Sequence, residues 1–223
     1  MAARLIDEDP ALAHRHALAA SRRAGRVGVV RETVAITAYA TGDFALALRE
    51  LRTHRRISGS NDQLPLMVDS ERGVGRPDRA LELGRSVPRA QLDVAVQVSL
   101  AIAMSGARLD LEQPEAALGE LQIPQLDPDR AFSWSPALFA AYATVLEELG
   151  RGEEAAEWLA RAERAEAALD DAAAADEDET VDVVEEEGPE ADEVEAIPAQ
   201  PDEPSALPVE REDDADAVPS DED

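Results

Sequence analysis

The chain has three histidines, His14, His16 and His54. His14 and His16 are two apart in a stretch of helical pattern, so their rings point about 200° apart and cannot share one metal ion. Neither stands at the HExxH spacing that pairs two imidazoles with a carboxylate. With no cysteine in the chain, disulfides, thiolate chemistry and cysteine-bound zinc are excluded. The glycine pairs in GRVGVV and GVGRP lack the spacing of a phosphate-binding loop, and no lysine exists to complete one. Ser21, Ser70 and Ser105 fall in helical segments without a nucleophile elbow. The paired acids Glu147 and Glu148, Glu153 and Glu154, and the run Glu185 to Glu187 sit where nothing desolvates them, so none is poised as a general acid. The expectation is a chain without catalytic residues, cofactor or metal.

The remaining chemistry is that of charge. Every one of the 21 basic residues is arginine, and 49 residues are acidic. Complete use of Arg over Lys, with abundant Ala, fits a GC-rich bacterial coding sequence. The charge is unevenly spread: residues 170–223 hold 24 acids against one Arg, whereas residues 1–60 hold ten Arg against six acids. The acidic end is rich in Pro and Ala and poor in aromatics, so it buries too little apolar surface to offset its ordering entropy. Residues 176–223 are therefore expected to form a disordered acidic tail, leaving 1–175 as the folded part. No apolar run is long enough to cross a bilayer and no secretory signal pattern opens the chain, so a cytoplasmic location without membrane partners is expected.

What must position any functional side chain is a repeat. DEDPALAH, TGDFALAL, VGRPDRAL, LEQPEAAL and GRGEEAAEWL each join a turn to an apolar helix through an alanine. The alanines are Ala13, Ala47, Ala80, Ala117 and Ala155, separated by 34, 33, 37 and 38 residues. In SPALFAAYATVLEELGRGEEAAEWLARA, Ser135 is expected to cap a helix that Pro136 begins and whose buried stripe is Phe139, Tyr142, Ala143 and Leu146, with Gly150 ending it. Ala155, Leu159 and Ala162 then face it from the next helix. Val34, Ala35, Ala38, Gly42, Phe44, Ala47 and Leu51 repeat the pattern. Pro77 takes the aromatic position in another unit, where Pro65 lies early enough in its helix to be tolerated. The third unit is expected to have its first helix at about 91–105, ending at Gly106, with residues 107–111 extending the turn.

These segments resemble the tetratricopeptide repeat (TPR), a unit of two antiparallel helices with a period near 34 residues. The resemblance covers residues 1–169 and implies an all-α, right-handed solenoid of helical hairpins, about four of them after a partial N-terminal one. Only residues 1–7 precede the first anchor's turn, so a helix over 10–24 without a full partner is expected, as if the chain began inside a repeat. The resemblance also implies a protein–protein interaction scaffold that holds a protein or peptide on the concave surface of the first helices of each hairpin. Carried over position by position, that surface would comprise Glu32, Ile36 and Tyr39, then Asp69 and Arg72, then Gln97 and Leu100, then Thr144 and Glu147. It lacks the basic carboxylate clamp of TPR modules that bind chaperone tails.

A second candidate surface is the cluster Arg22, Arg23, Arg26, Arg49, Arg52, Arg55 and Arg56. Helix dipoles favour cations at these C-terminal ends whatever the function. As a functional face it would make the chain a nucleic-acid- or ribosome-associated module, with the acidic tail as competitor. A flexible tail of this length reaches tens of ångströms at roughly 5–6 Å × √n, enough for a salt-sensitive contact with the cluster.

Overall fold

The computed structural model describes residues 2–177. Among the described residues the regular elements are all helical. They are α1 (Ala2–Leu5), α2 (Pro10–Ala24), α3 (Gly28–Ala40), α4 (Phe44–Ser58), α5 (Leu64–Gly73), α6 (Pro77–Gly84), α7 (Val94–Leu109), α8 (Pro114–Leu121), α9 (Ser135–Glu148) and α10 (Gly152–Glu177), with a 3₁₀ turn at Arg89–Gln91 before α7. The expected domain boundary after residue 175 falls near the end of α10. The disorder expected of the acidic end, and its contact with the arginines, lie outside the described residues.

Five helices begin in the same way. Ala13, Ala47, Ala80, Ala117 and Ala155 are each the fourth residue of α2, α4, α6, α8 and α10. Each donates its N–H to the residue just before the helix, at 2.9–3.0 Å, and each is at most 1% exposed. A side chain as small as a methyl group lets a neighbouring helix approach closely. Proline begins α2, α6 and α8, where its missing N–H costs nothing. Asp9 and Asp43 instead cap α2 and α4 by accepting from the N–H of Leu12 and Leu46.

Four turns before these helices are also alike. Gly42, Gly75, Glu112 and Gly150 have φ between +56° and +78°. In each turn this residue's N–H meets the carbonyl three back, and the next residue's N–H the carbonyl five back, at 2.7–2.9 Å. These bonds satisfy the carbonyls a helix end leaves unpaired. The turns align the first helices residue by residue. Val34, Met67, Met104 and Tyr142 then share one buried position, and Ala35, Val68, Ser105 and Ala143 the next.

Helices pack mainly on their neighbours in sequence: α2 on α3, α3 on α4, α4 on α5, α5 on α6, α7 on α8 and α9 on α10. The first helices of later hairpins also touch, α5 with α7 and α7 with α9. The core is correspondingly divided. Ala35, Leu48, Leu51 and Met67 form one cluster, Leu64, Val68, Leu81, Leu100 and Met104 anchor a second, and Leu121, Leu138, Tyr142 and Leu146 a third. Helix α2 packs on α3 and on the single turn α1.

The structure departs from three expectations of the sequence. Helix α7 does not end at Gly106 but runs to Leu109, and Glu112 takes the left-handed position without being glycine. The additional residues of that unit lie in the α6–α7 connection, 85–93, and in a longer α7. Ser135 does not cap α9: its hydroxyl accepts from the Phe132 N–H at 3.0 Å and holds the preceding loop. Leu159 is 45% exposed; the neighbouring Trp158 packs in its place, against Phe139 and Tyr142 with ring centroids 5.3 and 4.8 Å away.

The turns yield a direct test. A left-handed conformation costs a non-glycine residue about 1 kcal/mol. Glu112→Gly is expected to raise the unfolding free energy by roughly that amount in urea melts. Gly150→Ala, whose Cβ would meet nothing within 4 Å, should lower it by about 1 kcal/mol from backbone strain alone.

Candidate functional site

The stripes that bury one side of α3, α5 and α7 leave their other sides facing a common groove. One hollow of about 430 Å³ is lined by Ile36, Gln63, Pro65, Leu66, Val96 and Ser99 among others. A second, of about 420 Å³, is lined by Pro65, Leu66, Asp69, Arg72, Ser99, Ile102 and Ala103. The two share Pro65, Leu66 and Ser99, so they form one continuous trough. A third hollow of about 300 Å³ continues past Asp69 and Arg72 to Phe44, Gly73 and Asp110.

The trough has an apolar floor and polar ends. At one end Gln63 Nε2 donates to Glu32 Oε1 at 2.8 Å. At the other, the Tyr39 hydroxyl donates to Asp69 Oδ2, Asp69 pairs with Arg72, and Arg72 Nε donates to Asp110 Oδ2 at 2.7 Å. One chain of hydrogen bonds therefore ties α3, α5 and the end of α7. Two glycines make it possible. A Cβ at Gly106 would collide with the Arg72 guanidinium, and one at Gly73 with the Phe44 ring. Phe44 in turn meets Tyr39 edge-on at 5.4 Å. Burial first, and then the hydrogen bond and charge of Asp69, push the Tyr39 pKa up from 10.0 to about 12. Burial works against the Arg72 cation, but Asp110 and Asp69 outweigh it and raise its pKa.

Of the residues expected on this surface, Glu32, Ile36, Tyr39, Asp69 and Arg72 come together. Gln97 and Leu100 do not join them. Leu100 is fully buried in the core, and Gln97 Nε2 turns back to the Leu92 carbonyl at 2.9 Å. The cause is the misplaced end of α7: moving its turn from Gly106 to Glu112 shifts the register by six residues, or about 600°, a third of a turn off the intended face. Val96, Ser99, Ile102 and Ala103 stand there instead. Thr144 and Glu147 are exposed on α9 and line none of these three hollows.

The arginine cluster divides in two. Arg49 and Arg31 both pair with Glu50, whose side chain is only 5% exposed. Arg52 and Arg76 likewise clamp Glu71, 3% exposed, at 2.7 and 2.8 Å. Glu120, three residues after its anchor alanine as Glu50 is after Ala47, is approached by Arg85, Arg89 and Arg108. Arg49 and Arg52 thus hold carboxylates inside the protein. Arg22, Arg23, Arg26, Arg55 and Arg56 have no ion-pair partner among the described residues.

The histidines are apart. His14 Nδ1 bonds the Thr37 hydroxyl at 2.9 Å, and buried His54 lies 3.1 Å from the Gly28 carbonyl. Among the described residues no group of three or more His, Cys, Asp or Glu could hold a metal ion, and no helix is long and apolar enough to cross a membrane. No family model and no curated protein matches the sequence.

Chemical denaturation and an alkaline titration test these contacts. Replacing Arg52 and Arg76 together by Met would leave Glu71 buried without a counter-charge and cost about 3–5 kcal/mol in chemical denaturation. Glu71→Gln keeps a polar group where two half-exposed arginines can turn to water and should cost roughly 1–2 kcal/mol. In an alkaline absorbance titration, Tyr39 should ionise near pH 12. Its folded pKa lies above its unfolded one, so the associated stability is complete below pH 10 and is lost as pH rises through 12. Asp69→Asn should move that titration down toward its ordinary value, and Tyr39→Phe should remove it.

Proposed function

We propose that this chain is a solenoid of TPR-type hairpins that acts as a cytoplasmic, non-catalytic scaffold, holding a protein or peptide partner in the trough across α3, α5 and α7. The carrying observation is the trough itself: a continuous apolar floor from Ile36 through Leu66 to Ile102, closed by Glu32–Gln63 at one end and Tyr39–Asp69–Arg72 at the other. Recurrence of the buried alanines, identical turns and neighbour-on-neighbour packing support the repeat reading.

The trough suits an extended or helical segment that puts apolar side chains on the floor and pairs its polar groups at the rims. Its carboxylates Glu32, Asp69 and Asp110 face one cation, Arg72, so a segment bearing a basic residue is favoured over an acidic one. The alternative, a nucleic-acid module, is less supported. Arg49 and Arg52 are engaged by buried acids, and no aromatic ring stands among the remaining arginines to stack a base.

Affinity capture from a lysate with nuclease, using the full chain, tests the reading. A partner that survives nuclease should be retained by Thr144→Arg, outside the trough, and weakened at least about tenfold by Ser99→Arg, which fills its floor. Capture indifferent to Ser99→Arg, or wholly dependent on nucleic acid, would overturn it.

A further inference from the structure

A different edge of the molecule combines two features that do not usually coincide. Val27, Val29 and Ile57 are exposed at 48%, 61% and 44%. They are brought together by ties between the α2–α3 loop and α4. Arg31 Nε donates to the Gly25 carbonyl at 2.6 Å while its Nη1 donates to Glu50 on α4 at 2.6 Å. His54 of α4 lies 3.1 Å from the Gly28 carbonyl. Ile57 lies beside Gly28, its Cγ2 3.7 Å from where a Cβ on that residue would stand. Around these aliphatic side chains lie the arginines that have no ion-pair partner among the described residues. Arg26 precedes Val27, Arg55 and Arg56 precede Ile57, and Arg22 and Arg23 occupy the last turn of α2. Residues 10–31 contain five arginines and no acid, and residues 51–61 three arginines and no acid.

The helix dipole accounts for cations at the ends of α2 and α4. It does not account for three large aliphatic side chains held out in water among them, and such a patch marks an interaction site. Arginine is also the cation enriched at protein interfaces, because its planar fork binds carboxylates in pairs and is easily desolvated.

We propose that this edge, formed by the C-terminal ends of α2 and α4 and the start of α3, docks an acidic protein segment that carries aliphatic side chains. Its carboxylates pair with Arg22, Arg23, Arg26, Arg55 and Arg56, and its aliphatic groups cover Val27, Val29 and Ile57. The charge complementarity is opposite in sign to that of the trough, so the two surfaces select different segments. A nucleic acid would use the arginines but gain nothing from aliphatic side chains, since bases stack on rings. A lipid surface would call for the aromatic anchors of interfacial proteins, and the edge has none.

The test uses the full chain and a fluorescent peptide in which Glu alternates with Val and Leu, read by anisotropy. A Glu-only peptide, a single-stranded oligonucleotide and anionic vesicles are the comparators. Saturable binding of the mixed peptide is expected, reduced about tenfold by Val29→Ser with Ile57→Ser and at least as much by Arg55→Glu with Arg56→Glu. Val29, Ile57 and Arg56 are exposed and Arg55 is half-buried in the last turn of α4, so helical circular dichroism should be unchanged. Ser99→Arg should leave this binding intact, which separates failure here from failure of the trough. Equal affinity for the Glu-only peptide, insensitivity to the serine pair, tighter binding of oligonucleotide or vesicle, or no binding at all would overturn the proposal.

Discussion

The structure depends on the close approach of paired helices at one alanine per pair. At Ala47, Ala80, Ala117 and Ala155 the second helix of a hairpin presents only a methyl group, and in each case that group is sealed from solvent. Close approach needs a fixed entry angle as well as a small side chain. The left-handed turn five residues earlier provides it, with the same two hydrogen bonds each time. Once turn and alanine are set, the rotation of the first helix follows. Positions eight and seven before the left-handed residue go inward, as Val34 and Ala35 do before Gly42. Those three, six and ten before it face outward. The trough is therefore a consequence of hairpin geometry before it is a feature of any particular side chain.

Alanine buries little area, so a contact built on it contributes little hydrophobic free energy. The buried ion pairs add what the alanines cannot: directional links between helices. Glu50 joins α4 to α3 through Arg31, and Glu71 joins α5 to α4 through Arg52. Burying a carboxylate is costly unless its partners are well placed, so such links favour one arrangement strongly over its neighbours. The exclusive use of arginine fits this arrangement. Each clamp needs a guanidinium whose fork reaches a buried carboxylate from a side chain that is itself partly in water.

Much of this was legible because it is local. Turn, proline and alanine recur at a spacing that periodicity exposes, and Val34, Phe139 and Leu146 lie on the stripe their spacing predicts. The sequence misled where one residue broke the local rule. Glu112 adopts a conformation that glycine normally signals, while Gly106, a true glycine, serves a neighbour's guanidinium inside a helix. Gln97 and Leu100 were misplaced in consequence. The partners of Glu50 and Glu71 were illegible for a different reason: they come from other helices, and a run of arginines gives no sign of which members turn inward. The exchange of Leu159 for Trp158 turns on a packing choice between adjacent residues that spacing alone does not resolve.

The orientation of α7 decides whether the trough exists, and the absence of native cysteine allows it to be read directly. Single cysteines placed along the full chain at Ala95, Val98, Ser99, Leu100, Ile102 and Ser105, each treated with a thiol reagent under native conditions, would report which face meets water. Fast reaction is expected at Ala95 and Ser99, intermediate reaction at Ile102, and protection at Val98, Leu100 and Ser105. Fast reaction at Leu100 with protection at Ser99 would place the turn at Gly106 and dismantle the trough.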